Sequence, residues 1–198
     1  ELDFDLIVSD MRMPNKDGQW LLRELRKRQK SFPPFIFMTG FSDLSAQDAF
    51  DMGADGFLGK PLNSERLAAL LDKLSKTPET RWSKPPKDKA SELFSKVYQS
   101  SETSSNIKFG RGGMFIRVDA ADLKSGERLA FDLHFDSGPI RHLSGVGTVA
   151  WRRENYDELS AEYGIEFEYI SEDTLPEWLR FLQKSDLVAV IPNSRARG

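Results

Sequence analysis

The apolar residues change rhythm once along the chain, and that change constrains the fold more than any single motif. Up to about residue 75, short solid apolar runs alternate with helical stretches. Leu6-Ile7-Val8 and Phe35-Ile36-Phe37-Met38 are unbroken apolar runs, each ending at a hydroxyl residue. Runs of this length with no polar alternation predict strands buried on both faces, as in a parallel sheet. Between them Trp20, Leu21, Leu22 and Leu25 form one apolar stripe on an otherwise charged helix. Ser42 is positioned to cap a helix holding Ala46, Ala49 and Phe50, and Asn63 to cap one holding Leu67, Leu70, Leu71 and Leu74. Strand–helix alternation predicts an α/β layer fold over residues 1–75.

From Lys76 to Lys89, Pro78, Pro85 and Pro86 stand among Lys, Ser and Thr, and the segment reads as an extended linker. Beyond it the period becomes two. Leu129, Phe131, Leu133 and Phe135 alternate with Ala130, Asp132 and His134, and Tyr163, Ile165, Phe167 and Tyr169 alternate with Gly164, Glu166 and Glu168. Met114-Phe115-Ile116 and Val146–Trp151 read as further strands, punctuated by Gly126, Gly138 and Gly145. Residues 90–198 therefore predict an antiparallel barrel or sandwich. Ser171 is positioned to cap a closing helix with Leu175, Trp178, Leu179 and Leu182, and Leu187–Ile191 reads as one more strand.

Composition narrows the function. A formal net charge of −3 argues against binding nucleic acid through a global basic field, so DNA is not an expected partner. Absence of cysteine excludes disulfides, thiolate catalysis and Cys-ligated metal. His134 and His142 are the only histidines and cannot alone build a multi-His metal centre. No apolar run approaches the ~20 residues that span a bilayer. These features fit the cytoplasm. The chain opens on Glu1 rather than Met, which predicts a start partway into a longer protein.

Three polar residues follow the carboxyl ends of inferred parallel strands: Asp10 after Leu6–Ser9, Thr39 after Phe35–Met38, and Lys60 after Gly56–Gly59. Strand ends of that kind line the ligand crevice of open α/β sheets. The trio suits phosphoryl transfer to a carboxylate. Asp10 would be the nucleophile, Thr39 would hydrogen-bond one phosphoryl oxygen and Lys60 would neutralise another, with Mg²⁺ balancing the charge. A phosphatase of the haloacid-dehalogenase type would need a second Asp two residues on, where Arg12 stands.

These residues carry a resemblance. Asp10-Met11-Arg12-Met13-Pro14 with Asp17-Gly18, Met38-Thr39-Gly40, and Gly53-Ala54-Asp55-Gly56-Phe57-Leu58-Gly59-Lys60-Pro61 resemble the latter part of a response-regulator receiver domain. The resemblance implies a flavodoxin-like parallel sheet, incomplete at its N-terminus. It implies phosphorylation of Asp10 by a histidine kinase, a Thr39–Phe57 switch pair, and Mg²⁺ held by Asp10 and the Arg12 backbone carbonyl. The acidic pair that completes the family's metal site would lie upstream of Glu1.

The second half opens on a glycine-rich turn, Lys108-Phe109-Gly110-Arg111-Gly112-Gly113, before the Met114–Val118 strand. Glycines bring backbone N–H groups close to a ligand, and Arg111 can fork onto a phosphate. With the strands that follow, the turn resembles a PilZ domain over residues 90–183. That implies an all-β barrel with a C-terminal helix, ligand contacts at Lys108, Arg111, Gly112 and Gly113, and cyclic di-GMP as the family's ligand. Two departures weigh against cyclic di-GMP in the usual mode: the family's Arg-x-x-x-Arg motif is missing upstream of Asn106, and Lys108 and Gly110 replace the acidic residue and serine of its turn. An altered arginine site would draw on Arg117, Arg152 or Arg153. The expectation is a signalling protein rather than an enzyme, a receiver controlling a PilZ output unit in motility or cyclic di-GMP pathways. The alternative is an interaction module that binds a protein partner without ligand.

Overall fold

The computed structural model describes residues 4–28, 33–40, 45–87, 90, 92–98, 106–119, 123–154 and 160–194. The N-terminal half runs β1 (Ile7–Asp10), α1 (Gly18–Arg28), β2 (Phe35–Thr39), α2 (Ala46–Asp51), β3 (Gly56–Gly59) and α3 (Ser64–Leu74). Its three strands pair in parallel in the order β1-β2-β3. Phe35, Ile36 and Phe37 on the central strand are fully buried, as a solid apolar run requires. Phe35 and Phe37 join Met11, Leu22, Ala49 and Ala54 in one core. Edge strand β1 leaves Val8 exposed.

The caps follow local chemistry. The Asn63 side chain accepts from the Arg66 N–H at 2.9 Å, as predicted. Helix α2 is capped by Ser45, whose hydroxyl accepts from the Asp48 N–H; Ser42 lies outside the described residues. The leucine stripe of α3 is only partly covered. Leu70 rests on Gly56, but Leu71 is exposed, because α3 meets the sheet at edge strand β3.

The segment predicted as an extended linker contains a helical turn, α4 (Pro78–Arg81), and then anchors itself. Pro78 suits a first helical turn, where its missing N–H costs nothing. Trp82 is buried in the core of the second half, edge-on to Trp178 at 6.1 Å. A buried indole contributes a large apolar area, which outweighs the extended preference of the surrounding prolines.

The second half holds β4 (Glu92–Tyr98), β5 (Ile107–Phe109), β6 (Gly113–Asp119), β7 (Arg128–Phe135), β8 (His142–Glu154), β9 (Ser160–Ile170) and α5 (Leu175–Lys184). They form a six-stranded sheet in the order β4-β7-β8-β9-β6-β5, curled around one core. Inward Leu129, Phe131, Leu133 and Phe135 are buried, as the period of two predicts. Strand β4 departs from the antiparallel expectation by pairing in parallel with β7. Two strands intervene in sequence, so no hairpin dictates its direction. Helix α5 seals the core with fully buried Trp178, ringed by Phe109, Phe167 and Phe181. Its cap position is Thr174 rather than Ser171, whose carbonyl instead accepts from the Thr174 and Leu175 N–H groups.

The outer face of this sheet meets the first half. A register shift in the β8–β9 pairing between Val149 and Trp151 re-aims the chain there. Val149 faces the barrel core, while Trp151 lies outward over Gly164, where any Cβ would come within 2.1 Å of the indole nitrogen. Phe115 stacks beside Trp151 at 6.4 Å. With Val190 and Ile191 they enclose Phe50 from α2. Residues 187–191, predicted as a strand, form none: the chain bends at Val190 and Ile191, the Val190 N–H donates to the Phe50 carbonyl at 3.0 Å and the Ala189 carbonyl accepts from Arg111.

Replacing Trp82 by alanine should cost ~3–5 kcal/mol, the range for removing a buried aromatic. Urea unfolding followed by far-UV circular dichroism measures it; a cost below 1 kcal/mol, roughly the range for an exposed position, would contradict the anchored connection.

Candidate functional site

The parallel register brings the predicted trio to one edge. Asp10 stands level with Met38, and Thr39 level with Gly59, so Asp10, Thr39 and Lys60 close the carboxyl ends of three adjacent strands. The Lys60 N–H donates to the Thr39 carbonyl at 2.9 Å, extending the ladder past β3. The Lys60 ammonium contacts the Asp10 carboxylate directly. Hydrogen bonding from Lys60 holds the Asp10 carboxyl below its ordinary value, aided by the backbone N–H groups of Arg12 and Met11. Asp10 is therefore a half-exposed anion with a cation beside it, and Thr39 is buried next door. The residues expected to hold Mg²⁺ supply part of a coordination shell. Asp10 and the Arg12 carbonyl are two oxygen ligands of the six or so that a hard cation takes. Among the described residues, no cluster of three metal-binding side chains includes Asp10.

Phe57, the predicted switch partner, is half-buried on β3, three residues before Lys60. Its ring meets Phe50 edge-on at 5.7 Å, and it packs against both the core of the N-terminal half and the Phe50–Phe115–Trp151 cluster. Two residues before Phe57, Asp55 is buried. One Asp55 carboxylate oxygen accepts from the Phe35 N–H at 2.9 Å, and the other from Arg111 at 3.1 Å. Arg111 also donates to the carbonyls of Gly53 at 3.0 Å and Val188 at 3.2 Å.

The turn predicted to hold a ligand is thus engaged within the chain. Lys108 donates to the Ser194 carbonyl at 2.9 Å. The Arg111 and Gly112 N–H groups donate to the carbonyls of Ala189 and Val190. The glycines permit this closeness. A Cβ on Gly110 would lie 2.4 Å from the Val190 oxygen, and one on Gly113 would lie 2.1 Å from the Ile165 oxygen. Of the other arginines, Arg117 and Arg153 both bind buried Glu162, and Arg152 reaches the Leu123 carbonyl at 3.4 Å. Burial raises the Glu162 carboxyl, but the two guanidinium contacts outweigh it and hold Glu162 ionised below its ordinary value. Asp55 and Phe50 were missed as functional residues: Asp55 lay inside a recognised motif, and nothing in the sequence marks its partner Arg111, which stands 56 positions later.

Residues 1–72 match the family model for the response regulator receiver domain, and residues 98–184 match that for the PilZ domain. This chain joins response-regulator receiver sequence to a PilZ domain. Its receiver part is 42% identical over 72 residues to the transcriptional regulatory protein FixJ of Bradyrhizobium diazoefficiens, covering 36% of this chain and 35% of that protein. It is 40% identical over 70 residues to the DNA-binding transcriptional regulator NtrC of Klebsiella pneumoniae, covering 35% of this chain and 15% of that protein. It is also 42% identical over 77 residues to the sensor kinase CckA of Brucella abortus, covering 36% of this chain and 8% of that protein. The chain thus spans about a third or less of the length of these relatives. A solved receiver-domain protein from Clostridium thermocellum is similar at 30% identity and a TM-score of 0.33, over 36% of this chain and 56% of that one. No helix among the described residues is long and apolar enough to cross a membrane.

Replacing Arg111 by alanine should lower stability by about 1–3 kcal/mol, the cost of leaving a buried carboxylate short of a charged partner. Denaturant unfolding measures it, and an unchanged midpoint would contradict the Arg111–Asp55 attachment of the PilZ domain.

Proposed function

We propose that this protein is a phosphorylation-controlled signalling protein in which Asp10 is the phosphoacceptor and the PilZ domain is the output. The observation that carries the reading is the arrangement of one strand. β3 and its flanks hold Lys60 against Asp10 at one end, Phe57 against Phe50 in the middle, and Asp55 against Arg111 at the other. In the transfer, an Asp10 oxygen attacks the phosphorus of a phosphohistidine on a partner kinase. The P–O bond forms, the P–N bond breaks, and the imidazole leaves. Lys60 then exchanges its carboxylate partner for a phosphoryl oxygen, and the Thr39 hydroxyl donates to another. Phe57 follows the space Thr39 vacates and loosens its contact with Phe50. Because Phe50 belongs to the cluster that seats the PilZ sheet, phosphorylation shifts the balance between two docking states rather than starting a turnover.

A second reading has an observation of its own. Arg111 is turned into the Asp55 contact, and the glycine turn is packed by residues 188–192, which favours a PilZ domain that works by protein contacts without cyclic di-GMP. In that reading the receiver part is scaffold. Incubation of the full-length protein with acetyl phosphate and Mg²⁺, read by intact-protein mass, separates the two. The first reading predicts an acid-labile phosphoryl adduct on the protein and none on Asp10→Asn. Absence of the adduct, or its persistence in Asp10→Asn, overturns that reading and leaves the second.

A further inference from the structure

We propose that Asp132, His134 and His142 form a binding site for a divalent transition metal of the zinc type on the outer face of the PilZ sheet, separate from the phosphoacceptor edge. The backbone builds it. Alternation along β7 sends Leu133 inward and places Asp132 and His134 together on the outer face. The antiparallel pairing of β7 with β8 then sets His142 directly opposite His134. Cross-strand partners bring their Cβ atoms within roughly 5 Å, close enough for two rings to share one ligand. The imidazoles do come together, with centroids 4.2 Å apart and planes 8° from parallel.

The carboxylate converges on the same point. One Asp132 oxygen lies 2.7 Å from Nε2 of His142 and 3.4 Å from Nε2 of His134. One donor atom from each of the three residues lies within 4.8 Å of the others. A tetrahedral ion with bonds of ~2.0–2.2 Å needs its donors a little over 3 Å apart, so the two rings would turn out of their parallel stack to aim their nitrogens at it.

The donor set chooses the ion. Two imidazole nitrogens and one carboxylate oxygen suit Zn²⁺ and its first-row neighbours, whereas Mg²⁺ and Ca²⁺ prefer oxygen alone. Three protein ligands leave one position for water. The side chains remain between 34% and 47% exposed, so an ion reaches them from solvent without opening the fold. The bound ion would clip β7 to β8 beside the 136–141 connection. Two histidines alone are too few for a multi-His centre; here Asp132 is the third ligand, and the register supplies the geometry.

The test is calorimetric titration of the whole chain with ZnCl₂ in millimolar Mg²⁺, beside His134→Gln and His142→Gln. The site predicts one ion per chain and affinity weakened about tenfold or more in each variant. Because the chain holds only two histidines, proton spectra of the unmodified protein give a second readout that needs no variant. Both imidazole signals should move together and saturate at one equivalent. No uptake, uptake unchanged in the variants, or zinc binding that leaves either imidazole signal in place would overturn the proposal.

Discussion

The two halves meet around a buried carboxylate, beside the apolar cluster that encloses Phe50. Asp55 accepts a backbone hydrogen bond from the first residue of β2 with one oxygen and the Arg111 guanidinium with the other. A buried charge tolerates nothing less than full pairing, since an unpaired one costs several kcal/mol. The Arg111 contact carries the glycine turn to the receiver, and residues 188–192 pack into the gap that remains. Two further arginines feel the same charge. Burial, with Arg111 beside it, lowers Arg26 to about 10, while Asp55 and Asp51 pull the other way. Burial likewise lowers Arg81, which Asp55 also opposes. Arg26, Arg81 and Arg111 thus share the field of Asp55, which makes its position a point of leverage for the region.

Asp55 also precedes the strand that reaches Lys60 and its partner Asp10. From Asp55 to Lys60 is five residues, ~17 Å at the rise of an extended chain. That short segment is hydrogen-bonded to β2 along its length. Phe57 at its midpoint faces Phe50, so a side-chain change there meets an apolar cluster built from both halves. Close-packed clusters respond to such changes by switching arrangement rather than by yielding gradually.

Much of this was legible in the chain itself. The solid apolar run at Phe35–Met38 and the alternation at Leu129–Phe135 marked their strands because burial on two faces and on one face leave different patterns. The strand-end trio was legible because parallel strands bring their carboxyl ends to one edge, whatever the helices between them do. What sequence could not show was contact between residues far apart in the chain. Arg111 reads as a ligand residue until Asp55 is placed beside it, and Trp82 reads as linker until Trp178 is. The pairing of His134 with His142 depends on a register that no local pattern sets, and the parallel direction of β4 depends on a connection that crosses two other strands.

The central claim is that the Asp10 edge and the PilZ seat are mechanically one piece. The most direct measurement is amide hydrogen exchange at Val190, whose N–H donates across the seat to the Phe50 carbonyl, with Asp10 unmodified and stoichiometrically phosphorylated. The account predicts faster exchange at Val190 on phosphorylation, while the core amides of β7 stay protected. Equal protection at Val190 in the two states would contradict it.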